Sequence, residues 1–230
     1  MILFRKMFNK KKLYIKNISN YLSTEDIIQA PQKPKWFSKL CPFSHQKKTL
    51  LDAYKDLNDS KDLISPTLRA CPAINELFKK SILILFPCDV ILETKEDGQW
   101  FFNKPSINDF INVMEHTSVQ HDKEVNLDQY IILKFQLPLL FQSPHNSLIF
   151  LDPILFNSQP YQVCPGVISF ANNNAVRLNV IVLFKKEDKI YQFKKNSILA
   201  LLYSVNMIEI KENEKLKNYT KTSFLKGWIN

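Results

Sequence analysis

From Ser81 onward the sequence breaks into short apolar runs of four to ten residues, each closed by a polar turn. Ile82–Phe86 is continuous, and Asp89–Thr94 alternates. Lys95-Glu96-Asp97-Gly98 is a hairpin signal, after which Gln99–Phe102 returns. Tyr130–Leu137, Ser147–Leu151, Gln162–Phe170, Ala175–Phe184, Ile190–Phe193, Ile198–Val205 and Met207–Ile210 continue the series. Ser143–Asn146, Asn172–Asn174, Lys185–Asp188 and Lys194–Asn196 separate the later runs. No long helical crossover intervenes after residue 81, which argues for an antiparallel sandwich or barrel. The pattern predicts a mainly β chain, with an antiparallel β-sandwich or jelly-roll-like domain over residues 81–210.

Short helices are expected before it. Leu50, Leu51, Tyr54 and Leu57 fall at helical spacing within Lys47–Leu57, and Ala73–Lys80 follows Pro72, a residue suited to a first turn. Together they make a helical segment over residues 49–80. A further short helix is expected to start at Ser23 or Thr24, with Glu25 and Asp26 in its first turn, Ile27 and Ile28 behind, and Pro31 and Pro34 ending it. Residues 1–36 read as an extension rather than a core element. Residues 211–230 read as a polar tail whose Phe224, Leu225 and Trp228 are suited to capping a sheet or a neighbouring subunit.

Charge separates the arm from the rest. The chain carries a net charge of +9, and residues 1–48 hold eleven Lys/Arg against only Glu25 and Asp26; the remaining basic and acidic residues balance. A basic arm over residues 1–48 favours polyanions or an acidic protein surface through counterion release. Arginine, whose planar fork reads base edges, is scarce: Arg5, Arg69 and Arg177. Any nucleic-acid contact is therefore expected to be non-specific. Lys10, Lys11 and Lys12, together with the aromatic pair Trp36-Phe37 set between prolines, are the expected contacts for a partner.

Several chemistries are excluded. Only three glycines are present against twelve prolines, too few for a Gly-rich phosphate loop or a dinucleotide fingerprint. Cys41, Cys71, Cys88 and Cys164 form no CxxC pair, which argues against a zinc ribbon and, at this length, against a disulfide scaffold. Small buried thiols in a reducing compartment are expected. The opening MILFRKMFNKKK lacks the apolar run of a signal peptide, and no run reaches membrane-spanning length, so a soluble protein without a membrane partner is expected.

One cluster has the composition of a metal site. Glu115-His116-Thr117-Ser118-Val119-Gln120-His121-Asp122 holds two histidines flanked by carboxylates, the donor set of a cupin-type or oxygenase-type divalent-metal enzyme. Its candidate ligands are His116, His121 and Asp122, with Glu115 or His145 as other third ligands. Five residues apart, His116 and His121 point to opposite faces of a strand and share no helical ridge, so a loop must bring them together. A solvated polar loop is the simpler reading, and no cofactor is expected. At Trp100, Phe101 and Phe102, two of three side chains point the same way on a strand, which favours core packing over a stacking platform.

Lys35-Trp36-Phe37, Arg69-Ala70-Cys71-Pro72-Ala73, Phe86-Pro87-Cys88-Asp89-Val90, Trp100, His116 with Gln120, the stretch QSPHNSLIFLDP and the late run Ile198–Tyr203 follow one another in order. Over residues 34–205 this resembles a family of uncharacterised proteins from tailed phages, especially marine myovirus-like phages, and some bacteria. The resemblance implies an all-β domain behind a short Trp-containing arm, a viral context and no known activity. It makes the His-x-x-x-Gln pair, His116 and Gln120, the only catalytic candidates. The expectation for function is an accessory or virion-associated protein, in the host cytoplasm or the virion, that acts by binding another protein.

Overall fold

The computed structural model describes residues 11–19, 21–29, 33–40, 68–103, 111–116, 128–143, 147–156, 159–170, 175–206 and 208–213. Two compact units divide the chain, one of residues 31–81 and one formed by the stretches on either side. Antiparallel pairing predominates among the described strands of the larger unit, which also contain a parallel pair described below. The mainly β expectation holds.

In the smaller unit, α1 (Lys35–Lys39) and α2 (Pro72–Lys80) flank a 3-10 turn at Leu68–Ala70. Pro72 stands in the first turn of α2, where its missing N–H costs nothing. The Phe37 ring meets Phe78 edge-on at 4.7 Å, and Asn75 donates to the carbonyls of Arg69 (2.9 Å) and Cys71 (3.0 Å). The helix expected over Lys47–Leu57 lies outside the described residues.

In the larger unit, β1 (Lys11–Asn17), β6 (Asn112–Glu115), β7 (Tyr130–Gln142), β9 (Gln162–Val163), β11 (Val176–Lys185) and β14 (Ile208–Glu212) make a six-stranded sheet. Its order is β14-β1-β7-β11-β9, with β6 on the edge of β7 beside Leu133–Gln136, while β1 takes Leu139–Gln142. A five-stranded sheet runs β10-β8-β13-β3-β2, from β10 (Gly166–Ser169), β8 (Ser147–Leu151), β13 (Ile198–Ser204), β3 (Ser81–Leu85) and β2 (Ile28–Gln29). The third sheet is β12-β4-β5, from β12 (Lys189–Phe193), β4 (Val90–Thr94) and β5 (Trp100–Asn103).

Alternation decides which residues enter the core. Leu133, Phe135, Val180, Val182 and Phe184 of the large sheet, Ile82, Ile84, Leu148 and Phe150 of the second, and Val90, Leu92 and Tyr191 of the third belong to one buried cluster. The continuous run of β3 is buried on both faces, because Leu83 and Leu85 join Leu201 in a second cluster. Pro138 sits where the β7–β11 register slips between Arg177 and Asn179; there its missing N–H breaks no ladder bond, and its carbonyl accepts from Ile18 (2.9 Å).

Four expectations need correction. Residues 11–17 are not part of an extension: Leu13 and Ile15 are fully buried, and β1 lies inside the sheet between β14 and β7. Ser23 does cap, closing a capping box with Asp26, but only a 3-10 turn (Thr24–Asp26) follows before Ile28 enters β2. Cys164-Pro165 splits the run Gln162–Phe170 into β9 and β10. Lys211 and Glu212, assigned to the tail, complete β14, and Phe224, Leu225 and Trp228 lie outside the described residues. At the Lys95–Gly98 hairpin the expectation holds: Gly98 takes φ +90 and Lys95 pairs with Gln99. A second left-handed residue is Asn196 (φ 66), in the Lys194–Asn196 turn; Asn172–Asn174 lies outside the described residues.

Asp26 ties the capping turn to that second turn. Its Oδ1 lies 2.8 Å from the Lys195 ammonium, and its Oδ2 accepts from the Ser23 backbone N–H (2.9 Å). Lys195 first, then the Ser23 groups, hold the carboxyl at about 2, below the ordinary 3.8. A depressed carboxyl stabilises the fold above its unfolded pKa and loses that contribution as pH falls through its folded one. Between about pH 4 and pH 2 the chain should therefore lose roughly 1 kcal/mol from this group, after allowance for solvent screening. Denaturant titrations across that window should show a shallower pH slope in Asp26→Asn; an unchanged slope would refute the assignment.

Candidate functional site

The three-stranded sheet has one face in the core and one in solvent. Val90, Leu92, Tyr191 and Phe193 point inward, and Trp100 and Phe102 pack against the same cluster. Two cross-strand rows make the outer face: Ile190–Glu93–Phe101 and Gln192–Ile91–Asn103. Strict alternation puts apolar side chains at positions that water would ordinarily claim. Phe101 is 55% exposed, Ile190 60% and Ile91 41%, all on this one face. Single exposed apolar residues are ordinary, but three gathered on one small sheet form a patch suited to contact.

Charges interleave with the apolar residues: Glu93 stands between Ile190 and Phe101 in the first row. The Lys95 ammonium lies 2.6 Å from Glu93, and its pKa is raised by Glu93 first and by Asp188 and Asp97 more weakly. Lys189 reaches Glu187 at 3.1 Å, and the same carboxylate accepts from the Tyr191 hydroxyl (2.8 Å). Burial first, then Glu187, pushes Tyr191 up to about 12. Beside Phe101 opens a groove of about 400 Å3 lined by Asp97, Gly98, Gln99, Trp100, Phe101 and Glu115. Asp97 is committed to its turn, where its Oδ1 accepts from the Gln99 N–H (2.9 Å).

No protein-family model, curated protein or solved structure matches this chain. What the site can do rests on its own residues. Among the described residues, no three His, Cys, Asp or Glu side chains converge as metal ligands. Cys88 is buried, and desolvation first, then Asp89, pushes its thiol up to about 11, which leaves it protonated at neutral pH. Burial also raises the Cys164 thiol. No helix of the described residues is long and apolar enough to cross a membrane.

The residues singled out in the sequence fall in several places. His116 follows β6 and is half-buried, its backbone N–H donating to the Ile132 carbonyl (2.8 Å). Gln120, His121, Asp122, His145 and Lys10 lie outside the described residues. Lys11 and Lys12 belong to β1, and the exposed Lys12 is displayed by a sheet rather than by an arm. Trp36 is 37% exposed on α1, whereas Phe37 at 1% is a core residue of the smaller unit, not a contact for a partner. Sequence reasoning missed Ile91 and Ile190. The signal was available: in Asp89–Thr94 and Ile190–Phe193 both occupy the phase opposite to the buried residues.

Proposed function

We propose that this protein is a non-catalytic binding module that acts by docking another protein on the outer face of its three-stranded sheet. The observation behind this reading is the shared exposure of Ile91, Phe101 and Ile190 on one flat surface. Apolar side chains set around the Glu93–Lys95 pair give the face both apolar contact area and a charged point for recognition. The occupant that fits is an extended segment with alternating apolar residues and basic flanks. Its apolar side chains cover Phe101 and Ile190, and its cations meet Asp97 and Glu115 in the adjoining groove. The reading extends to an accessory or virion-associated role in the host cell or the virion, for which the resemblance to tailed-phage proteins is the support.

The test is a random twelve-residue peptide display library selected on the full chain. Enriched peptides should combine apolar and basic residues, and should bind a Phe101→Ser/Ile190→Ser double variant at least tenfold more weakly. Both positions are exposed, so the variant should melt near the parent. Absence of enrichment, or equal affinity for the double variant, would overturn the proposal.

A further inference from the structure

The lysines of the N-terminal region have a definite address on the sheet. Because Leu13 and Ile15 point into the core, Lys12, Tyr14 and Lys16 project from the opposite face of β1. Register identifies their neighbours. Lys12 is opposite Glu209 and Tyr14 opposite Lys211 on β14; Tyr14 is also opposite Gln142, and Lys16 opposite Leu140, on β7. Leu140 in turn faces Arg177 on β11. Among the described residues, the outer face of four adjacent strands therefore carries Lys12, Lys16, Lys211 and Arg177, together with Glu209, which lies 3.5 Å from Lys211.

Tyr14 stands within this group. Lys12 and Lys16 are each two residues from it along the strand, about 6.6 Å at strand rise, and Lys211 is one strand away, about 4.8 Å at strand spacing. Its side chain packs on Leu140 and Ala175, which fixes it to the sheet. Arg177 is oriented by its Nε, which donates to the Leu137 carbonyl (3.2 Å). A partly exposed aromatic, packed over the buried Leu140 and Ala175 and set among cations, combines charge for phosphates with a ring for a base. With a single arginine, the face lacks the forks that read duplex base edges.

We infer that the outer face of the six-stranded sheet, around Tyr14, Lys12, Lys16, Lys211 and Arg177, binds single-stranded nucleic acid through its phosphates without sequence preference. This surface is separate from the apolar patch, and the inference does not depend on that patch having a partner. The Lys12 and Lys211 side chains are exposed, so charge reversal there tests the face without touching the core.

The experiment is fluorescence anisotropy of labelled oligo-dT, twenty nucleotides long, with the full chain at 50 to 200 mM salt. About three engaged phosphates predict a slope of log K against log salt near −2. Lys12→Glu/Lys211→Glu should weaken binding at least tenfold and make the slope shallower, while Lys189→Glu on the three-stranded sheet should change it less than twofold. Circular dichroism confirms that each variant is folded. The inference fails if oligo-dT does not bind at 50 mM salt. It also fails if the double variant binds as well as the parent, which would put the contact elsewhere on this basic chain, or if duplex DNA of equal length binds as tightly as the single strand.

Discussion

Replacing Phe135 with alanine should lower the unfolding free energy by about 3–5 kcal/mol, the cost of emptying a fully enclosed aromatic site. Phe135 is the central ring of the larger unit. It lies on β7, the strand shared by β1, β6 and β11, and meets Phe86 at 6.1 Å, Phe102 at 6.3 Å and Phe184 at 6.4 Å. Phe184 belongs to the neighbouring strand β11, Phe102 to β5 of the third sheet, and Phe86 follows β3 of the second with its backbone bonded to Asn196 and Ser197. None can therefore move into the void without disturbing its own backbone pairing. For a domain of this size the loss corresponds to a melting temperature lower by roughly 8–15 °C. A calorimetric shift of less than about 3 °C would mean that the three sheets do not share a core at this ring.

Ile15→Asp should have a larger effect still. Ile15 is fully buried, flanked on its two sides by Phe141 of β7 and Glu212 of β14. A carboxylate there would stand beside Glu212 within the apolar cluster, and a buried charge in such a place costs several kcal/mol even after its pKa rises. The larger unit should lose its cooperative unfolding transition at neutral pH and recover part of it under mild acid, as the carboxyl is protonated. Lys12→Ser, three residues earlier on the outer face, should stay within about 0.5 kcal/mol of the parent. Were Ile15→Asp to melt like the parent, residues 11–17 would be a detachable arm after all.

That contrast explains which parts of the fold were legible. Runs with a clear period and a bounding turn, such as Asp89–Thr94 before the Gly98 hairpin, carry their own boundaries, because alternation and positive φ are local properties. β1 was obscured by its composition. KKLYIKN alternates faithfully, but lysines fill the outward positions, so the stretch reads as the end of a basic tail until a sheet supplies the inward side. Ser23 and Asp26 announce a helix start, and nothing local reveals that Ile28 pairs with Ile84 across the sheet or that the Ile27 carbonyl accepts from Leu85. The candidate patch was half legible. Phase within β4 and β12 predicts that Ile91 and Ile190 point away from Leu92 and Tyr191, but not that neither the core nor a neighbouring sheet covers them. The basic face was legible only as a count of charges; its grouping around Tyr14 depends on the register with β14, which no local pattern encodes.

The pairing of β1 with β14 also sets an order of events during synthesis. The two strands run parallel, and their pairing joins Lys11 to Ile208, partners 197 residues apart. β7, by contrast, offers Leu139–Gln142 to β1 much earlier. On the ribosome, one edge of β1 can be satisfied while the other stays open until β14 emerges, an interval of roughly 3–14 s for the intervening 70 residues at common elongation rates. During that interval a strand with buried-type residues on one face presents unpaired N–H and C=O groups to its surroundings. Its outward lysines then have a second use, as like charges that keep two unfinished chains from joining edge to edge.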